Sequence, residues 1–290
     1  MVKNTKIAVD KESKMLKFKQ NLHTHSVLCD GTDKIEDMVI EAVNKGFYSL
    51  GFSGHAYTPF SLKYCMTPEE TAEYIQEVNR VKEKYKDKIK IFLGTEVDYF
   101  SKGVFVDYEY VIGSVHYMDS DGKDEEKGFD TSSAKFLKSR ADKYFNGDVY
   151  ALAEKYYELL ADLPNKLAKM DVVGHFDLLM KSCEDERIID TSNKRYQDAV
   201  ENCLNRLIKK VDVFEVNTGA IARGYRTEPY PEKWILKKIK EKGGKIILSS
   251  DCHKKEMLDC YYEQAIEYIK DCGFDEIHYF DGEKFLPEKI

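Results

Sequence analysis

Residues 18–31 read FKQNLHTHSVLCDG, where a short strand-like segment around Phe18 to Leu22 passes directly into His23, His25 and Asp30. The same arrangement recurs along the chain. Leu50 to Phe52 leads to His55, Ile89 to Leu93 to Glu96, and Tyr110 to Val115 to His116. Val172-Val173 leads to His175, and Lys245 to Leu248 leads to Asp251 and His253. Six of the seven histidines therefore sit at or just after the end of a short apolar or β-branched run. His278, in the late segment EIHYF, is read as an ordinary strand residue.

Between most of these runs, and around a further one from Val211 to Val216, lie longer segments with helical spacing. That alternation predicts βα units around a parallel sheet. The clearest helices are Thr67 to Tyr85, which Thr67 can cap with Pro68 in the first turn, Ser192 to Lys210, and Glu232 to Lys242, which stops at Gly243-Gly244. In a barrel of parallel strands the C-terminal strand ends converge on one face, so the histidines would meet there as a single site.

The 290 residues, 42% hydrophobic and 12% aromatic, suffice for one large domain spanning 1–290, and 17 Gly with 6 Pro exclude fibrous and low-complexity classes. Residues 1–15 read as a surface extension. Residues 119–166, opening on DSDGKDEEKGFD, read as an insertion over the site. Forty-five Lys plus Arg against 52 Asp plus Glu give a net charge of −7, which argues against a nucleic-acid partner. Seven scattered cysteines without a CxxC pair suggest reduced thiols and a cytoplasmic protein. The N-terminal residues lack the apolar core of a signal peptide and no run reaches membrane-spanning length, so no membrane partner is expected.

Neutral imidazole is a common ligand for zinc, iron and manganese, and six gathered on one face would call for a cation. His23 and His25 are two residues apart, so on a strand both project to the same side, and Asp251 with His253 repeats that spacing. Glu96 could bridge two metals through its two oxygens, and cations would offset the cost of burying its charge. Singly, each of these residues has a bland alternative, such as Asp30 as a turn former; jointly they read as a metal site.

Six motifs carry a family resemblance. They are His23-x-His25 with Asp30-Gly31, Gly54-His55, Gly94 through Glu96 with Asp98, Gly113 through His116, Gly174-His175 with Asp177, and Ser250-Asp251-x-His253. Over about residues 20 to 285 the chain resembles the polymerase and histidinol phosphatase (PHP) family, and within it the monofunctional histidinol-phosphatases. The resemblance implies an α/β fold, a distorted (β/α)7 TIM-like barrel with a metal site at the C-terminal ends of the strands. It implies three divalent ions, Zn, Mn or Fe: one on His23, His25, Glu96 and Asp251, a second on Glu96, His116 and His175, a third on Asp30, His55 and His253. Glu215-Val-Asn217-Thr-Gly219, followed by Arg223, Arg226 and Glu228-Pro-Tyr230-Pro231, resembles the histidinol-phosphatase pattern.

The implied activity is metal-dependent hydrolysis of a small-molecule phosphate monoester, L-histidinol phosphate, in histidine biosynthesis. A phosphate needs a planar cationic donor as well as metals; Arg223 is the first choice and Arg226 the second. Glu96 and Arg223 would serve catalysis directly, and Asp251 or His253 could pass a proton to the leaving alkoxide. Asp98, Tyr99, Phe129 and Glu228 are candidates for the imidazole and amine of histidinol. Two other readings compete: a nucleotide phosphatase or exonuclease using the same metals, and a metal-binding or regulatory protein without activity.

Overall fold

The computed structural model describes residues 16–103, 107–119 and 128–290. The expected N-terminal extension, residues 1–15, lies outside the described residues, as do residues 120–127 of the charged loop. Seven strands form one parallel sheet in chain order: β1 (Gln20–Asn21), β2 (Ser49–Phe52), β3 (Lys90–Asp98), β4 (Tyr110–Ser114), β5 (Val172–Val173), β6 (Val213–Asn217) and β7 (Lys245–Ser249). Sequential order means that each crossover adds a strand on the same side, and the sheet curls until its ends meet. Past the ends of β1 and β7, Thr24 bridges Cys252 in parallel. There His25 N donates to Cys252 O at 2.8 Å and Cys252 N to His23 O at 3.0 Å. The Asn21 side chain adds a bond to Ser250 Oγ at 2.7 Å. This is the seven-stranded α/β barrel that the resemblance implies.

Helices α1 (Ile35–Asn44), α2 (Pro68–Lys84), α3 (Ala134–Phe145), α4 (Val149–Lys166), α5 (Lys194–Leu207), the short α6 (Gly219–Ala222), α7 (Lys233–Glu241) and α8 (Tyr262–Asp271) lie between and after the strands. A reciprocal cap starts α2: Glu70 N donates to Thr67 Oγ1 at 3.2 Å and Thr67 N to Glu70 Oε2 at 2.8 Å. The start of α5 falls two residues later than the spacing predicts. Ser192 is drawn into a turn on Asp190 Oδ1, so Asn193 caps the helix instead, accepting from Arg195 N at 2.9 Å. An antiparallel pair, β8 (Glu276–Phe280) and β9 (Phe285–Lys289), follows the barrel. Pro287 in β9 discourages a strand prediction, and the structure tolerates it because, among the described residues, β9 pairs only with β8.

Two layers of core hold the barrel. Outside, the helices pack on residues such as Leu93, Val111, Phe214, Val216, Ile246 and Leu248. Inside, Leu22, Phe92, Tyr110, Ile112, Val172, Val213, Ile247 and Phe280 form a separate cluster. Each large side chain buried there contributes about 1.5–3 kcal/mol. Tyr110 stands at its centre, its hydroxyl 2.5 Å from Leu22 O, and Gly94 makes room for the ring: a Cβ there would lie 2.3 Å from Tyr110 Cζ. Because side chains alternate along a strand, the positions two and four residues beyond an interior apolar residue face inward too. Thus Phe92 sets the phase for Glu96, Val213 for Glu215, and Ile112 for Ser114.

Candidate metal centre

Glu96 is the hub. Burial leaves its side chain 1% exposed, and five imidazoles surround it. His23 Nε2 lies 3.1 Å, His55 Nδ1 3.0 Å and His25 Nε2 3.5 Å from Oε2. His175 Nε2 at 3.0 Å and His116 Nε2 at 3.5 Å approach Oε1. Asp251 Oδ1 stands 3.3 Å from His25 Nε2 and 3.6 Å from His23 Nε2. Asp30 lies 3.3 Å from His25 Nδ1, 3.2 Å from His253 Nε2 and 3.7 Å from His55 Nε2. All nine residues expected to bind metal thus meet at one end of the barrel.

The local geometry departs from simple strand ends in two places. β3 runs through Glu96 to Asp98, since Thr95 and Val97 continue the pairing with β4. Asp251 adopts φ +45°, so the Asp251-x-His253 pair is placed by a left-handed kink past β7 and not by strand pleat as its spacing suggests. His23 and His25 do point the same way, because the Thr24–Cys252 bridge keeps the chain extended beyond β1.

A cation fits this donor set. His23 Nε2, His25 Nε2 and Glu96 Oε2 are buried and make no hydrogen bond despite their close approach. Among the described residues, four sets have donor atoms within 4.8 Å of one another: His23/His25/Glu96, His55/Glu96/His116, His23/His175/Asp251 and His25/Asp30/His55/His253. His55 falls with Glu96 and His116 as well as with Asp30, so these sets overlap the implied ligand sets without coinciding with them.

Without cations, protons take over part of the charge balance. Burial alone would depress His23, but Glu215, Glu96 and Asp251 outweigh it and raise its pKa well above the ordinary value. His116 is likewise opposed by burial yet raised to about 9, chiefly by Glu96 and Asp98. Burial dominates at His55, which falls to about 4. Burial would raise Glu96, but His23, His55 and His116 hold it well below the carboxylate range; Asp251 is held down against burial by Arg223 and His23.

Arg223, just after α6, reaches the centre: Nη2 donates to Asp251 Oδ2 at 2.9 Å and Nη1 to Asp251 O at 3.0 Å. It lines, with His55, His116, His175, His253 and Asp98, a cavity of about 850 Å³. Residues of α3 and of the segment before it, including Asp130, Thr131 and Phe136, line the far wall. Arg226 and Glu228 do not reach this cavity and line a separate one of about 290 Å³. Arg226 is buried, with Asp177 Oδ2 at 3.5 Å and the Tyr230 ring at 4.5 Å, because Tyr230 folds back onto Asn217 in β6. Asp98 lines the cavity, but its oxygens accept from His116 N at 2.6 Å and Phe100 N at 2.8 Å, so it holds the backbone around His116. Tyr99 bonds Asp162 at 2.9 Å, and Phe129 is fully buried against Tyr156; neither lines the cavity.

Two functional roles are not assigned by the motifs. Glu215, quoted above only as part of the Glu215-Val-Asn217 pattern, bonds His23 Nδ1 at 2.7 Å, and the signal for that role is its place on the inward phase of β6. Asp130 pairs with Lys181 at 2.6 Å on the cavity wall; an acidic loop gives no sequence signal for that partner.

Known proteins resemble this chain in sequence and in fold. The chain is 27% identical over 278 residues to a probable histidinol-phosphatase of Schizosaccharomyces pombe, covering 88% of this chain and 87% of that one. It is 26% identical over 271 residues to the histidinol-phosphatase of Bacillus subtilis, covering 86% and 98%. The fold superposes with a TM-score of 0.70, at 22% identity and covering 92% and 98%, on a histidinol phosphate phosphatase of Lactococcus lactis solved with zinc, L-histidinol and phosphate. Residues 21–219, which carry the strands from β1 to β6 and seven of the nine clustered residues, match the PHP domain, and the chain belongs to the PHP family.

Proposed function

We propose that this chain is a metal-dependent phosphatase that hydrolyses L-histidinol phosphate to L-histidinol and phosphate, as a step in histidine biosynthesis. The observation that carries the reaction type is the convergence of five imidazoles on the buried Glu96, with Arg223, held on Asp251, lining the same cavity as Glu96. The substrate is supported by relatives named as histidinol-phosphatases that align over most of the chain, and by the neighbour holding both products of that hydrolysis. Seven unpaired cysteines suit a reducing cytoplasm, and among the described residues no helix is long and apolar enough to cross a membrane.

Three divalent ions, zinc, manganese or iron, suit the nitrogen and oxygen donors. His23, His25, Glu96 and Asp251 would hold one, Glu96, His116 and His175 a second, and Asp30, His55 and His253 a third. When bound, such ions supply Lewis acidity to the phosphoryl oxygens and to the attacking water. Glu96 holds the donors together from the centre. Arg223 offers a planar fork to the phosphoryl oxygens and lies against Asp251, whose charge fixes its orientation. His253, 23% exposed and with Nε2 turned to Asp30, would pass a proton to the departing alkoxide only from Nδ1, which lies 3.2 Å from Arg223 Nη1. Of the expected insertion over residues 119–166, Gly128, Asp130, Thr131, Ser132 and α3 line the cavity and would cover the site within one domain, whereas α4 packs in the outer core.

The test is phosphate release from L-histidinol phosphate by chelator-stripped protein before and after reconstitution with zinc, manganese or iron. Activity that vanishes on stripping and returns with one of these ions supports the proposal. Unchanged activity after complete stripping defeats it.

A further inference from the structure

Glu215, in the middle of β6, is fully buried beside the centre yet belongs to none of the four metal-holding sets. Its hydrogen bonds explain why. Oε1 accepts from His23 Nδ1 at 2.7 Å and from Ser249 Oγ at 2.9 Å. Oε2 accepts from His175 N at 2.9 Å and from Asn217 Nδ2 at 3.1 Å. An ionised carboxylate has about four lone-pair sites, and all are engaged, so no site is left for a cation.

A carboxylate can only accept, so His23 must carry a proton on Nδ1. Its lone pair is then on Nε2 in the neutral ring, the nitrogen 3.1 Å from Glu96 and 3.6 Å from Asp251. The same side chain holds the backbone at His175, beyond β5, and Ser249, at the end of β7. We propose that Glu215 is a positioning residue of the metal centre: it fixes the ring and tautomer of His23 for metal while tying the flanking strand ends in place. The inference rests on the cluster holding cations and is independent of which phosphate ester is hydrolysed.

Glu215→Gln keeps the size but replaces one acceptor oxygen by an NH2 group that can only donate, so the amide cannot serve all four donors in either orientation. Ser249→Ala removes one of the four bonds and leaves the His23 contact. Zinc affinity of the full chain is measured by competition with a chromophoric chelator, and the histidine ring protons of the zinc-loaded protein by 15N NMR. Glu215→Gln is expected to weaken zinc binding about 10- to 100-fold, whereas Ser249→Ala stays within about threefold of the parent. The parent should show a protonated Nδ1 on His23 with zinc bound. A purely structural tie would lower the melting temperature of Glu215→Gln without moving zinc affinity, and that result overturns the proposal. If Glu215→Gln fails to fold, the parent spectrum decides: a proton on Nε2 of His23 overturns the proposal, and a proton on Nδ1 with retained affinity in Ser249→Ala supports it. A parent that binds no zinc overturns it together with the metal site, whereas a parent that binds zinc but ignores L-histidinol phosphate fails the substrate assignment alone.

Discussion

Removing the cations should make stability fall with pH in a window that the imidazoles set. In the metal-free chain His116 is raised to about 9, whereas an unfolded histidine titrates at about 6.5. A raised pKa contributes stability that is fully present below the unfolded value and is lost as pH rises through the folded one. Between about pH 7 and about pH 9.5 the loss from His116 alone is roughly 2.5 kcal/mol. For a chain of this length that corresponds to about 4 °C in Tm. His23 and His25, also raised, act in the same direction. His55, lowered to about 4, is neutral in both states throughout this window and does not oppose them. Divalent cations bind the deprotonated rings, so the rise in Tm on adding metal should grow by at least that amount over the same interval. Differential scanning calorimetry of stripped and loaded protein at both pH values measures this. A stripped Tm that does not fall, or a metal increment that shrinks with pH, refutes the reasoning.

Two further outcomes follow from packing and charge. Gly94→Ala would place a methyl 2.3 Å from Tyr110 Cζ in the barrel interior, and denaturant unfolding should show a loss of about 1–3 kcal/mol; an unchanged midpoint would contradict the packing described. Arg223→Ala should lower kcat/KM for L-histidinol phosphate about 100-fold, and Arg223→Lys should recover only a small part because the planar fork is lost. A lysine variant close to the parent in kcat/KM would remove Arg223 from phosphate recognition.

The barrel was legible because its signals are local. Every barrel strand lies in or beside a short run read from the sequence, and at six of the seven a histidine or carboxylate at or just past its end marks where the run meets the common face. Thr67 could be read as a cap because its partner Glu70 lies three residues away. Tertiary placement was less legible. Arg223 and Arg226 are three residues apart in one loop, yet one pairs with Asp251 and the other turns to Asp177. What separates them is the return of Tyr230 onto β6, a contact between residues 13 positions apart that no local pattern encodes. The geometry at Asp251 was hidden for a related reason, since its positive φ follows from barrel closure around Cys252. Glu215 was visible in the alternation of Val213, Glu215 and Asn217, but its role depends on His23, 192 residues earlier.

The most direct test of the central assignment is a side-by-side measurement of kcat/KM on the metal-loaded protein with L-histidinol phosphate, a nucleoside monophosphate and a short single-stranded oligonucleotide. The account predicts metal-dependent turnover with a clear preference for L-histidinol phosphate and little cleavage of the oligonucleotide. A preference for the nucleotide or the oligonucleotide would leave the metal centre standing and contradict the substrate.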